Sequence, residues 1–126
     1  MSLDKALLEE AVAYVDMAMV GTFREATVRN ALAAELASRL PESEIIMEVA
    51  MPIMFRTSTG SSCRIGTHIA DIVVRTAGIE SIIELKVNTR ANAELQVQGY
   101  KTNFGAAKAF VVVFYYIADA EVTEVN

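Results

Sequence analysis

The stretch that decides the fold runs Ala70-Asp71-Ile72-Val73-Val74-Arg75-Thr76-Ala77-Gly78-Ile79-Glu80-Ser81-Ile82-Ile83-Glu84-Leu85-Lys86-Val87. Runs rich in β-branched residues flank Thr76-Ala77-Gly78, which predicts strands over 67–75 and 80–87 joined by a tight hairpin. Both runs carry charge where a buried strand carries little: Asp71 in the first, Glu84 and Lys86 in the second. Alternate residues of a strand share a face, so Glu84 and Lys86 point one way and Leu85 into the opposite layer, and a hairpin can bring Asp71 beside them. An acid and an ammonium among Ile82, Ile83, Leu85 and Val87 are costly to bury unpaired, which marks them as candidates for chemistry.

Upstream, apolar residues at Leu7, Leu8, Ala11, Val12, Val15, Ala18 and Met19 recur at helical spacing. They predict an N-terminal helix within 1–20, behind Ser2 as cap and ahead of Gly21 as terminator. Thr22 followed by Glu25 fits a capping box for a second helix over 23–40, which Pro41 ends. Residues 44–49 and 51–55 are strand-like, and 56–66 is a Thr-, Ser- and Gly-bearing loop or hairpin tip with little to bury. Downstream, Ala93, Val97, Tyr100 and Phe104 give a helix over 91–104, and 109–117 is an almost unbroken β-branched and aromatic run, the mark of a buried central strand. Residues 118–126 are expected to be a loose acidic tail.

The 126 residues make one domain, with enough apolar sequence for a real core. The apolar residues are spread through periodic segments with no bilayer-spanning run, and the N-terminal charges do not follow a signal-peptide layout, so a soluble cytoplasmic protein is expected, with no membrane partner. A lone Cys63 and a lone His68 argue against disulfides and against zinc bound by Cys or His. The net charge of −5 disfavours a protein that coats nucleic acid, yet suits a site built from clustered carboxylates. Two such carboxylates repel each other and favour a hard divalent cation between them, Mg²⁺ with Mn²⁺ as its substitute, for which the Leu85 backbone carbonyl is a further oxygen donor. Lys86 beside that cation would orient the attacking water and stabilise charge growing on a phosphate, so the reaction class is phosphodiester hydrolysis.

Asp71, then Glu84-Leu85-Lys86 after a short hairpin, then a helix and a buried strand, resembles the PD-(D/E)xK nuclease superfamily. The resemblance implies a restriction-endonuclease-like α/β core, in the order αβββαβ, with a mixed central sheet flanked by helices and here an extra N-terminal helix. More narrowly, the run from Glu25 through Leu36 and the later Gln96-Val97-Gln98-Gly99-Tyr100 resemble the GxxExxY group of small nuclease-like proteins. That likeness implies that Glu25 reaches the metal directly or through water, and that Gln96 and Tyr100 sit beside the site and help to position the nucleic acid, DNA before RNA. The chain departs from these patterns in having Ala70 before Asp71, Gly21 four residues before Glu25, and Val28 in place of the group's tyrosine.

Each residue also has a structural alternative. Glu84 and Lys86 would serve as an ion pair on a half-exposed face, Glu25 as the partner of a Thr22 cap, Tyr100 as a core aromatic, and Gln96 as a solvated side chain. His68 falls on the strand face opposite Asp71 and reads as packing or surface. Lys101, Lys108, Arg64 and Arg90 are either a modest basic rim for phosphates or scattered surface charge. The competing function is a nuclease fold without catalysis, a nucleic-acid-binding or assembly module acting as a homodimer or subunit. Outer apolar residues of the first helix would supply the dimer surface.

Overall fold

A computed structural model of the chain describes residues 2–21, 23–89 and 106–125. Two helices, α1 (Lys5–Ala18) and α2 (Glu25–Arg39), precede five strands: β1 (Glu44–Arg56), β2 (Ser62–Thr76), β3 (Ile79–Val87), β4 (Lys108–Phe114) and β5 (Glu121–Glu124). The strands lie side by side in sequence order, and every neighbouring pair is antiparallel except β3 with β4, which run parallel. The fold is therefore α/β with a mixed sheet, as expected. The helix predicted over 91–104 lies outside the described residues.

Both helices bury their apolar stripe on one face of the sheet. Leu8, Ala11, Val12 and Val15 of α1 and Val28, Leu32 and Leu36 of α2 pack against Ile72 and Val74 of β2, Ile83 and Leu85 of β3, and Phe110 and Val112 of β4. A smaller cluster, including Met51, Ala70, Val73, Ile82, Val111 and Val113, covers the other face. The near-continuous apolar run of β4 follows from this, because a central strand buried on both faces has no polar side to show. No helix among the described residues is long and apolar enough to cross a membrane.

Four local expectations need correction. Asp4, not Ser2, caps α1: its carboxylate accepts the Leu7 N–H at 2.8 Å. The cap position of α2 is Arg24, without a side-chain cap bond, so Glu25 is the first helical residue and the Thr22–Glu25 capping box does not apply. The loop expected over 56–66 shrinks to residues 57–61, since β1 and β2 continue as a two-stranded ribbon whose register runs from Ile53 with Gly66 to Arg56 with Ser62 across a bulge. The sequence predicts strand on the β1 side of that ribbon as far as Phe55, but on the β2 side Ser62, Cys63, Arg64 and Ile65 are all exposed, so no alternation of buried residues signals it. The segment read as a loose tail carries β5, which pairs with β4 from Phe110 with Glu124 to Val113 with Glu121.

Candidate active site

The β2–β3 ladder closes at Thr76 with Ile79 and ends at its open side with Ile72 and Ile83. The next residues along each strand are Asp71 and Glu84, where the pairing stops. There the Asp71 carboxylate takes over a bond a ladder carbonyl would otherwise make: its Oδ2 accepts the Leu85 N–H at 2.8 Å. The bond seats the buried Asp71 side chain against the Glu84-Leu85 peptide.

A second irregularity aims this side chain. Between Met47 with Ile72 and Val49 with Ala70 the β1–β2 register skips the Glu48 and Asp71 pair, and Glu48 holds a left-handed backbone at φ 55°. Ile72 and Val74 face the helices, so strict alternation would turn Ala70 the same way; Ala70 packs instead with Val73 on the far face. The strand thus changes its facing at Asp71. Left-handed backbone at a non-glycine residue is costly, and such positions cluster at functional sites.

On β3 the alternation is regular. Leu85 is buried in the helix-side core and Ile82 on the other face, with Glu84 and Lys86 in phase with Ile82. Lys86 Nζ lies 3.6 Å from Glu84 Oε1, the Glu84 side chain being buried and that of Lys86 mostly so. Glu25, half-buried at the start of α2, completes the group. Its carboxyl is pushed above the ordinary glutamate pKa by burial first and then by the negative charge of Asp71, while Lys86 and Arg29 pull it back. The structure therefore brings Asp71, Glu84, Lys86 and Glu25 into one neighbourhood, while Gln96 and Tyr100 lie outside the described residues.

Two members of this neighbourhood were not singled out from the sequence. Arg29, one helical turn after Glu25, places Nη1 3.9 Å from Asp71 Oδ1 and Nη2 3.2 Å from Glu48 Oε1. A signal for Arg29 existed, since a charged residue beside the buried stripe of Val28, Leu32 and Leu36 calls for a partner across the interface. Glu48 gave none, because its place rests on a backbone kink. Lys108, weighed as part of a basic rim, donates to the Leu3 carbonyl at 3.1 Å and ties down the N-terminal segment.

The donor set is all oxygen, from carboxylates and peptide carbonyls, which suits a hard cation such as Mg²⁺. Burial is the first cause of the upward push on Glu25 and the negative charge of Asp71 the second, and a dication would relieve the second. Among the described residues no three His, Cys, Asp or Glu side chains stand close enough to hold a metal by themselves. A cation here would thus have few protein ligands and keep several waters, as Mg²⁺ commonly does.

No protein-family model matches the sequence, and no curated protein is significantly similar to it. The GxxExxY likeness accordingly rests on the residues alone. Among solved structures, that of Hjc, a Holliday junction resolvase from the archaeal hyperthermophile Archaeoglobus fulgidus, aligns at 18% identity over 72% of each chain with a TM-score of 0.41, too loose a superposition to argue from. The crystal structure of SSO0001 superposes with a TM-score of 0.54 at 17% identity, over 96% of this chain and 76% of that one. What this chain shares with SSO0001 is its fold.

Proposed function

We propose that the chain is a metal-dependent nuclease that hydrolyses phosphodiester bonds of nucleic acid, with DNA as the substrate to test first. One observation carries the reading: where β2 and β3 part, the buried Asp71 carboxylate is seated on the Glu84-Leu85 peptide by a 2.8 Å bond, two residues before Lys86 on β3. A fully structural role would be better served by an apolar pair, since burying acids against one another is unfavourable. Asp71, Glu84 and the Leu85 carbonyl would hold Mg²⁺ or Mn²⁺, with Glu25 directly or through water, and the cation would supply Lewis-acid polarisation of the scissile phosphate. Glu84 keeps the Lys86 ammonium at the cluster. From there Lys86 orients the attacking water and stabilises negative charge developing on the phosphate oxygens. Gln96 and Tyr100 are proposed to position the nucleic acid beside these groups. A homodimer joined through α1 belongs to the same reading, because Tyr14 and Met17 expose their side chains there; a monomeric mass at working concentration would remove it.

The test is Asp71→Asn, chosen over alanine because the amide oxygen can still accept the Leu85 N–H while the charge is gone. Mg²⁺-dependent cleavage of plasmid or single-stranded DNA should fall at least about a hundredfold, and Mg²⁺ binding should be lost with it. Cleavage that persists in the variant would sink the site assignment. A second reading, the same fold acting as a non-catalytic binding or assembly module, is favoured by Arg29 beside Asp71, which lets the cluster balance part of its own charge. It predicts nucleic-acid binding by the wild-type chain with no cleavage in any divalent metal.

A further inference from the structure

The reaction proposed above makes no use of Arg29, yet this side chain is only 14% exposed and sits among the carboxylates of the site. Its hydrogen bonding does not account for its burial. A guanidinium offers five donors, and buried polar groups are nearly always paired. Here Nη2 meets Glu48 at 3.2 Å, Nη1 approaches Asp71 only to 3.9 Å, beyond hydrogen-bond range, and the buried Nε has no partner among the described residues. What holds the group in place is the field of Asp71 and Glu25, with Glu48 as a tether on the solvent side. Glu48 is 63% exposed, so that pairing lies at the solvent edge of the site.

We propose that Arg29 is the cluster's own counter-ion, occupying the field of Asp71 when no metal is bound and yielding toward Glu48 when a divalent cation arrives. The proposal rests on the metal-dependent reading above and adds to it a device that sets the cation affinity. A dication on Asp71 would face a like charge a few ångströms away, in surroundings drier than bulk water, so every binding event works against Arg29. The site is therefore weaker for Mg²⁺ than its carboxylates alone would make it. Arg29 is a positioning residue in this account, acting through Asp71.

Calorimetric titration of Mg²⁺ and Mn²⁺ into the wild-type chain, Arg29→Met and Arg29→Lys tests this without any turnover. Removing the charge should tighten binding about tenfold, given an interaction of several ångströms in a partly buried site, whereas lysine should stay near the wild-type affinity. A residue that merely supported the fold would weaken metal binding when lost, so the direction of the change is diagnostic. Unchanged or weaker binding in a folded Arg29→Met overturns the proposal and leaves the metal site standing. Absence of binding in the wild-type chain overturns the metal-dependent reading itself. A second measurement needs no methionine variant: the Arg29 Nε–H resonance of the wild-type protein, assigned by its loss in Arg29→Lys, should shift with the same midpoint as metal binding. A resonance unmoved at saturating Mg²⁺ overturns the proposal equally.

Discussion

Glu25 stands at the first turn of α2, where the helix N-terminus favours a carboxylate, but burial and Asp71 disfavour one more strongly and raise its pKa. The folded metal-free chain therefore holds the Glu25 proton more tightly than the unfolded chain does. Stability from this residue is fully present below the ordinary value of 4.5 and is lost as pH rises through the raised folded value. Glu25→Gln should accordingly stabilise the metal-free protein at neutral pH, and its advantage should shrink as pH falls toward 4.5. Urea unfolding of both forms across that range, in the presence of a chelator, measures the difference; an advantage that grows toward acid would refute the sign. At this scale the sequence was informative where chemistry depends on neighbours along the chain. Glu84 and Lys86 share a strand face by alternation, and they do lie 3.6 Å apart. The approach of Arg29 to Asp71 depends on how α2 crosses the sheet, and the kink at Glu48 on a single left-handed residue, neither of which residue spacing encodes.

The β2–β3 hairpin turns through Ala77 and Gly78, with φ values of 50° and 81°. Thr76 pairs with Ile79 around them, so the loop is the two-residue kind that requires positive φ at both positions. Gly78 meets that demand freely and has nothing within 4 Å of where a Cβ would stand, but Ala77 takes the left-handed region against its preference. Ala77→Asn should stabilise the chain by about 1 kcal/mol, because asparagine tolerates that region and Asn-Gly is the favoured sequence for this turn. Equilibrium unfolding would show it as a higher midpoint at unchanged slope; a lower midpoint would mean that the turn is not held as described. This element was readable from Thr76-Ala77-Gly78 between two β-branched runs because turn chemistry and strand composition are both local. The β2 half of the outer β1–β2 ribbon was not, since none of Ser62-Cys63-Arg64-Ile65-Gly66 is buried and the stretch belongs equally well to a loop. The same reason hid β5, whose Glu121-Val122-Thr123-Glu124 offers a single apolar side chain.

That short strand closes the sheet on the side away from the candidate site. Ala120 and Val122 pack against the helix-side core, the Ala120 N–H donates to Asp16 of α1 at 3.0 Å, and the Val125 N–H donates to the Ala109 carbonyl at 2.9 Å. Through these contacts β5 fastens α1 to β4, whose residues from Ala109 to Phe114 are all buried. Deleting 118–126 would bare the edge of β4, a run of apolar side chains with unpaired backbone groups, which is the pattern that leads strands of separate molecules to pair. Losing the partly buried Val122 and the β4–β5 ladder should cost about 3 kcal/mol or more, from apolar area returned to water and backbone groups left without partners. The shortened chain should show a lower denaturation midpoint and a scattering signal that rises with concentration. The site lies on the other side of β3, where Asp71 is held by the β2–β3 split and Arg29 by α2, so what remains folded should keep its Mg²⁺ affinity. A shortened chain as stable as the full one would mean that β5 adds nothing to the sheet. One that stayed folded but lost the metal would show instead that the site depends on the whole sheet being closed.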